Sequence, residues 1–308
     1  MTFKLEHYSI AIRRRNDKLL FEGNMSPFEE IVFPFSDRFW AADPFLVEQD
    51  SDVYLFYELF DNVEQKGKIA YSKLNGNKAD SPKIVLDESY HLSFPNVFKI
   101  KGEFYMIPET GGNHCIELFK AIKFPDEWKL VKVLVNKIDA CDTVVLEQDG
   151  VLNLLTSEMD TSISEYPWCY VRNRLFRIEA NGLTSEKTIG NNIGDFGARN
   201  GGSIIDNNNH LVRVGQDCSG GMYGKGIVFW EMSENFEDVK ILSRLTAEDA
   251  ELLINWHDQK HVKLKGTHTY NISRHYEVID ASEDREYSVF IKYINKVRRK
   301  ILKVWKKS

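Results

Sequence analysis

A chain of 308 residues with 43% hydrophobic side chains is long enough for one large core or two ordinary ones, and its net charge of −6 argues against nucleic acid as the main partner. The four cysteines (Cys115, Cys141, Cys169 and Cys218) are scattered, with no Cys-x-x-Cys pair and no zinc spacing, so a disulfide framework is not expected and reduced thiols are. The N-terminus has no apolar core of signal-peptide length and no window approaches a membrane span, which leads us to expect a cytoplasmic protein.

In chain order, Tyr8–Ile12 and Leu19–Phe21 predict strand material that stands outside any repeat. From Trp40 a pattern begins. Asp43-Pro44 reads as a turn delivering a carboxylate to the mouth of a strand, with Pro44 holding Asp43 in extended geometry. The strand Phe45–Val47 is followed by a polar turn and by Val53–Glu58, which again ends on a carboxylate. Lys68–Ser72 and Lys83–Leu86 complete four strands. The pattern recurs in Pro95–Ile100, the Lys101-Gly102 turn and Phe104–Glu109, with Ile116–Phe119 and Trp128–Val131 as outer strands. It recurs in Asp142–Glu147 and Val151–Leu155, followed by a Met159–Asn173 insertion rich in Ser, Tyr and Trp whose length suits a functional loop. The fourth unit runs from about Arg199 to Leu245 through Gly202–Ile205, Leu211–Asp217 and Gly226–Trp230. A helical-looking piece, Ala247–Trp256, leads to Thr267–Ile272 and Tyr276–Asp280.

The anchors Pro44, Pro95, Thr143 and Gly202 lie about 50 residues apart, the spacing of propeller blades built from short strands and polar turns. We therefore expect an all-β, five-bladed β-propeller over residues 1–286, with closing strands near 8–21 and blades over about 40–280. Innermost strands of such a ring surround a narrow funnel. Residues near their starts (Asp43, Asp142, Arg199 and His268) and at the ends of second strands (Glu58, Glu109, Gln216 and Asp217) should meet at one end of it.

Several stretches carry a family resemblance: Phe39–Phe45, His91-Leu92-Ser93-Phe94-Pro95, Pro108-Glu109-Thr110, Asp142-Thr143, Gly215–Cys218 and Gly266–Tyr270. Together they resemble the bacterial relatives of the N-terminal domain of glucosamine inositolphosphorylceramide transferase, over about residues 30–280. More distantly the chain is similar to the five-bladed clan of arabinanases, invertases and levansucrases. That resemblance implies a sugar context, with Asp43 matching the clan's first-blade Asp and Asp142 its third-blade Asp. The clan's acid is a fourth-blade Glu, whereas this chain has Gln216-Asp217 there; Glu109 is the candidate to take its place.

Asp43, Glu109 and Asp142 are thus the candidate catalytic residues. Glycosyl transfer builds positive charge at the anomeric carbon, and two carboxyl groups serve it, one attacking or deprotonating while the other, kept protonated by its neighbours, assists departure. Candidate substrate-binding residues are Trp40, Glu58, His91, Arg199, Gln216, Asp217 and His268, with Arg199 able to clamp a phosphate or carboxylate bidentately. Tyr166, Trp168, Tyr170 and Tyr223 offer further faces for sugar stacking. His257 and His261 have helical i, i+4 spacing but no Glu partner, so no metal site is assigned. No nucleotide-binding fingerprint is present and no cofactor is evident, an activated sugar donor being compatible with the motifs.

Charge is uneven: residues 287–308 hold eight Lys and Arg and no acid, leaving 32 basic against 46 acidic side chains in the rest. Phe290, Ile294, Val297, Ile301, Val304 and Trp305 share one helical face, the pattern of a basic amphipathic helix lying on anionic lipid. The expected function is a carbohydrate-active enzyme, a glycosyltransferase of bacterial surface polysaccharide or glycolipid assembly, peripheral on the inner face of the membrane. A glycoside hydrolase of the furanosidase type and a non-catalytic glycan-binding propeller remain open alternatives.

Overall fold

The computed structural model describes residues 2–148, 151–159, 162, 166–179, 182–208, 210–257 and 262–288. They form five sheets, each a blade, arranged as a five-bladed β-propeller. Blade 1 runs outward through Phe39–Gln49, Asp52–Asp61 and Lys66–Asn75 to the short outer strands Lys78–Ala79 and Lys83–Leu86. Blade 2 comprises Ser93–Ile100, Glu103–Glu109, Cys115–Lys123 and Glu127–Asn136; blade 3 comprises Ala140–Gln148, Val151–Met159, Val171–Glu179 and Gly182–Gly194. Blade 4 has Phe196–Asn200 innermost, then His210–Asp217, Gly226–Met232 and Asp238–Thr246. Tight turns set these registers. Lys101 and Gly102, both at positive φ, form the two-residue hairpin loop joining the first strands of blade 2.

Blade 5 is assembled from both ends of the described chain. Leu264–Gly266 and Tyr270–Ile272 lie innermost against Tyr276–Ser288, which pairs along its whole length with Thr2–Arg14. Phe28–Glu30 adds outside, and Ile254–Asn255 pairs with it in parallel. The closing strand therefore begins and ends earlier than the expected 8–21. Leu20–Glu22 is a single 3-10 turn, because Gly23 adopts the left-handed conformation that ends it and the Glu22 carboxylate takes the Leu19 N–H. The buried Arg13 fixes the seam: Nη2 lies 2.8 Å from Glu277 Oε2, and that oxygen also accepts from Leu20 N–H and Tyr270 O–H.

Tyr287 and Ser288, expected to open the basic tail, belong to the last strand, paired with Phe3 and Thr2. The remainder of the tail, 289–308, and with it the amphipathic helix, lies outside the described residues. Among the described residues the one α-helix is Ala247–Leu253, capped by Thr246 and Asp249, and no helix is long and apolar enough to cross a membrane. The expected 159–173 insertion is shorter than it looked, since Met159 ends one strand and Val171 begins the next.

The core fills the space between blades. Phe45, Phe56, Phe94, Met106, Val144 and Leu155 pack in one cluster that runs from blade 1 to Met232 of blade 4, and a second joins blade 5 to blade 4 through Phe28, Val212, Phe229 and Tyr270. Blade 4 also contains a fully buried cation. Arg213 binds both oxygens of Asp238 and donates to the carbonyls of Gly197 and Ala198 and to Asn200 Oδ1. It thereby ties the second strand of that blade to its innermost strand.

Candidate functional site

The site is made by a repeated irregularity. In blades 1 to 4 the pairing of the innermost strand with the second slips: between Ala42 and Phe45, Ser93 and Asn96, Cys141 and Val144, and Phe196 and Arg199. Each slip holds a residue at positive φ, namely Asp43 (52°), Phe94 (46°), Asp142 (48°) and Gly197 (65°). A bulge of this kind re-aims one side chain out of the pleat, and Asp tolerates the left-handed region better than most residues. Pro44 therefore does not hold Asp43 extended, as its sequence suggested. The bulge outweighs the pre-proline preference because the turned carboxylate gains two donors, Thr269 Oγ1 at 2.8 Å and Phe94 N–H at 3.1 Å. Glu58 and Glu109 stand opposite the residues just before the bulges, Ala42 and Ser93, so they hold equivalent positions on successive blades.

Two groups of side chains result. On one side, His268 Nδ1 lies 2.6 Å from Asp280 Oδ2, and its Nε2 3.8 Å from Asp43 Oδ1. Asp280 also accepts from the backbone N–H groups of His268, Thr269 and Asp43. The His268 ring stacks on Tyr8 at 4.8 Å and meets the edge of Tyr223 at 5.3 Å. On the other side, Arg199 Nε donates to Asp142 Oδ2 at 2.5 Å and its Nη2 to Glu109 Oε2 at 3.2 Å. Gln216 Nε2 donates to the same Asp142 oxygen at 3.0 Å. Tyr223 joins the halves, since its ring also lies under the Arg199 guanidinium at 4.9 Å.

The electrostatics follow from burial and crowding. Burial pushes Asp43 up to about 6; Asp142 and Asp280 add to this and the His268 charge opposes it. Glu109 is held well above the usual carboxylate range by burial and by the Asp142 charge, with Arg199 pulling the other way. Glu58 is raised too, by burial and by the charges of Asp43 and Glu109. For His268, burial disfavours the imidazolium, but contact with Asp280 and the charge of Asp43 push it up to about 9. The funnel thus holds Asp43 at about 6 beside Glu58 and Glu109, whose carboxyl groups burial and crowding hold well above the usual carboxylate range.

This yields a test that needs no substrate. A histidine whose folded value is raised contributes stability that is complete below about 6.5 and is lost as pH rises through about 9. The melting-temperature difference between wild type and His268→Gln should therefore shrink from pH 6.5 to pH 9. A constant difference across that window would show that His268 is neutral in the folded protein.

The other expected site residues fall into place around this centre. His91 accepts from Gly67 N–H at Nδ1, and its Nε2 sits 3.3 Å from Glu58 Oε1, out of line for a hydrogen bond. Gly67 is required there, as a Cβ would stand 2.3 Å from that oxygen. Trp40 stacks on Phe60 at 4.4 Å and leans on Tyr8 at 5.1 Å, so it backs the His268 wall. Asp217 turns away to take the Ser219 N–H at 3.0 Å. Tyr166 and Trp168 are each nearly half exposed, and the Trp168 carbonyl accepts from Arg199 Nη1. His261 lies outside the described residues. Sequence reasoning missed Asp280 and Tyr8; the Asp at the end of the predicted Tyr276–Asp280 strand was the available signal for the first. Donor atoms of Asp43, His268 and Asp280, and of Glu109, Cys141 and Asp142, gather within 4.8 Å of one another. In the first group His268 Nδ1 is paired with Asp280 and the Asp43 carboxylate accepts from Thr269 and Phe94, and in the second the Cys141 thiol donates to Ser157 O.

The family model described as "Glucosamine inositolphosphorylceramide transferase 1, N-terminal" matches residues 30–282, the span that carries all five blades' funnel residues except Tyr8. The chain belongs to this family. The glucosamine inositolphosphorylceramide transferase 1 of Oryza sativa subsp. indica is 32% identical over 223 residues, which cover 66% of this chain and 28% of that protein. Its Arabidopsis thaliana counterpart is 34% identical over 194 residues, covering 61% of this chain and 25% of that protein. The chain thus spans about a quarter of the length of these curated relatives. Among solved structures, a GH62 hydrolase in complex with xylotriose superposes with a TM-score of 0.56 at 11% identity, over 85% of this chain and 99% of that one. A family 117 glycoside hydrolase from Zobellia galactanivorans gives a TM-score of 0.52 at 10% identity, over 90% of each chain. At such identities the likeness carries the fold alone. The family membership is the one that the motifs of Phe39–Phe45 through Gly266–Tyr270 implied.

Proposed function

We propose that the funnel is the active site of a carbohydrate-active enzyme that performs glycosyl transfer. The observation that carries this reading is the pair of unlike buried carboxyl groups in one funnel: Asp43, facing His268 and held at about 6, and Glu109, paired with Arg199 and held well above the usual carboxylate range beside Asp142. In it Asp43 takes the proton of the incoming hydroxyl, or attacks the anomeric carbon, while Glu109 gives its proton to the departing oxygen. Asp142 holds Arg199 in place and, by its charge, favours the protonated form of Glu109. The transferase name of the plant relatives supports transfer, in assembly of a surface polysaccharide or glycolipid. A hydrolase reading uses the same pair of carboxyl groups with water as acceptor.

Incubation with panels of activated sugars and of glycans, with and without acceptors, separates these outcomes. An acceptor adduct that disappears in Asp142→Asn supports transfer, and free sugar formed without acceptor supports hydrolysis. Ligand binding with no turnover on any panel member would leave a glycan-binding propeller. The membrane placement rests on the apolar face Phe290–Trp305 and the basic residues that surround it, and is tested separately. Full-length protein should float with phosphatidylglycerol liposomes at low salt and less so at high salt. Flotation equal to that of a 1–288 truncation would remove the membrane from the proposal.

A further inference from the structure

Outside the funnel, where blade 5 meets blade 1, lies a cavity of about 570 Å³. Its floor is apolar. Ile31, Phe33 and Phe35 come from the chain that joins Phe28–Glu30 to Phe39–Gln49, and Trp256 follows Ile254–Asn255. Phe33 and Phe35 stack at 4.9 Å, and Phe33 meets the edge of Tyr57 at 5.1 Å, so the pair is backed by the core of blade 1. Trp256 Nε1 is buried with no acceptor among the described residues, and a buried donor left unpaired is costly until an acceptor arrives. The rim is acidic: Glu30, Asp37, Glu283, Asp284 and Glu286 stand there with one arginine, Arg285. Arg285 is taken by Glu283 at 2.5 Å, Asp284 by Lys265 at 3.2 Å, and Glu30 accepts the His257 N–H at 3.0 Å. Asp37 and Glu286 have no cation among the described residues. An apolar floor under uncompensated carboxylates suits a cationic amphipathic ligand.

The chain supplies one itself. The described residues end at Ser288, two positions past Glu286 on that rim, and residues 289–308 carry eight Lys and Arg, no acid, and an apolar helical face. We propose that this cavity is the docking seat of the chain's own segment 289–308, with Phe290, Ile294 and Val297 covering the Phe33–Phe35 pair and Trp256 while its lysines stand over Asp37 and Glu286. A tether this short gives the segment an effective concentration on the order of millimolar, ahead of a free ligand of similar affinity. The apolar face that docks is the one that would enter lipid, so the two seats exclude each other: the segment is on the propeller or on an anionic membrane, not on both. Tyr8 lines the cavity and stacks on His268 at 4.8 Å, which places the seat one side chain from the funnel. None of this depends on the glycosyl-transfer reading.

The test uses the full chain at low salt, treated with a water-soluble carbodiimide that joins lysine amines to carboxylates in contact, then digested and mapped by mass spectrometry. Linkages from Lys296 or Lys300 to Asp37 or Glu30 are expected, and they should be lost at high salt. The linkage to Asp37, an exposed residue, should be lost in Asp37→Lys together with that to Glu30. In a mixture of nitrogen-14 and nitrogen-15 protein the linked peptides should be isotopically uniform. Mixed peptides would put the segment on a second copy and overturn the proposal. Linkages confined to 283–286, the segment's neighbours in sequence, or no linkage at all, would overturn it as well. Excess phosphatidylglycerol vesicles should remove the linkages from protein that floats, and linkages that persist on floated protein would show that the seats do not compete. Cross-linking without lipid decides docking even where the chain does not float, so this inference and the membrane placement fail separately. If Asp37→Lys fails to fold, the wild-type map still decides.

Discussion

Asp43→Asn should lower kcat/KM by about 10²–10⁴-fold while leaving the propeller folded. Asparagine keeps the size of the side chain and an oxygen for the Phe94 N–H or the Thr269 hydroxyl, so the bulge retains an acceptor. It loses the lone pair that receives a proton and the charge that faces His268. Since burial already pushes the Asp43 carboxyl up to about 6, removing its charge relieves the folded state at neutral pH. Loss of activity through unfolding is therefore not expected, and the melting temperature of the variant at pH 7 checks this alongside the kinetics. The acidic limb of the pH–rate profile should also lie near 6 in the wild type. Full turnover by a folded Asp43→Asn protein would remove Asp43 from the chemistry.

The largest effect on stability is expected from Arg213→Met. The arginine is fully buried, and each of its polar edges meets an acceptor: both oxygens of Asp238, two carbonyls and the Asn200 side chain. Methionine fills much of the volume but strands the Asp238 carboxylate and the Gly197 and Ala198 carbonyls. Breaking a buried pair from one side costs about 3–5 kcal/mol. For a chain of this length that corresponds to a melting temperature lower by roughly 5–8 °C. The double variant Arg213→Met/Asp238→Leu should recover part of the loss, because the uncompensated charge is gone. Denaturant unfolding of wild type, single and double variants measures this directly. A single variant within about 1 kcal/mol of wild type would show that the pair contributes little beyond a well-packed apolar replacement.

Much of the blade plan is legible in the residues, and the reason is local. Strands such as Val53–Glu58 and Phe104–Glu109 are apolar runs bounded by turn residues, so their register is set within a few positions. Asp43, Glu109, Asp142, Arg199 and His268 converge because a ring brings the starts of distant inner strands together, and the repeat alone implies a ring. What the sequence concealed depends on contacts across the chain. Arg213 reads as an ordinary strand residue until its partner is known to be Asp238, on the fourth strand of the same blade. Asp280 reads as the end of a strand until His268 is placed against it. The geometry of Asp43 was misjudged for the same reason: Pro44 is visible in the sequence, whereas the Thr269 and Phe94 donors that favour the bulge are not.

The pairing of Thr2–Arg14 with Tyr276–Ser288 has a kinetic side. Every pair in that seam joins residues more than 260 positions apart, from Arg14 with Tyr276 to Thr2 with Ser288. Blades 1 to 4 consist of consecutive strands, so each can form as it leaves the ribosome, while the first strand waits for a partner made more than 260 residues later. Until then it presents an unpaired edge to other chains. Ring closure is thus the late, slow step of maturation. His268 and Asp280 belong to that blade, so half of the funnel is assembled only at closure. A growing chain can carry Asp142 clamped by Arg199 well before Asp43 has its partners, which confines activity to the finished ring.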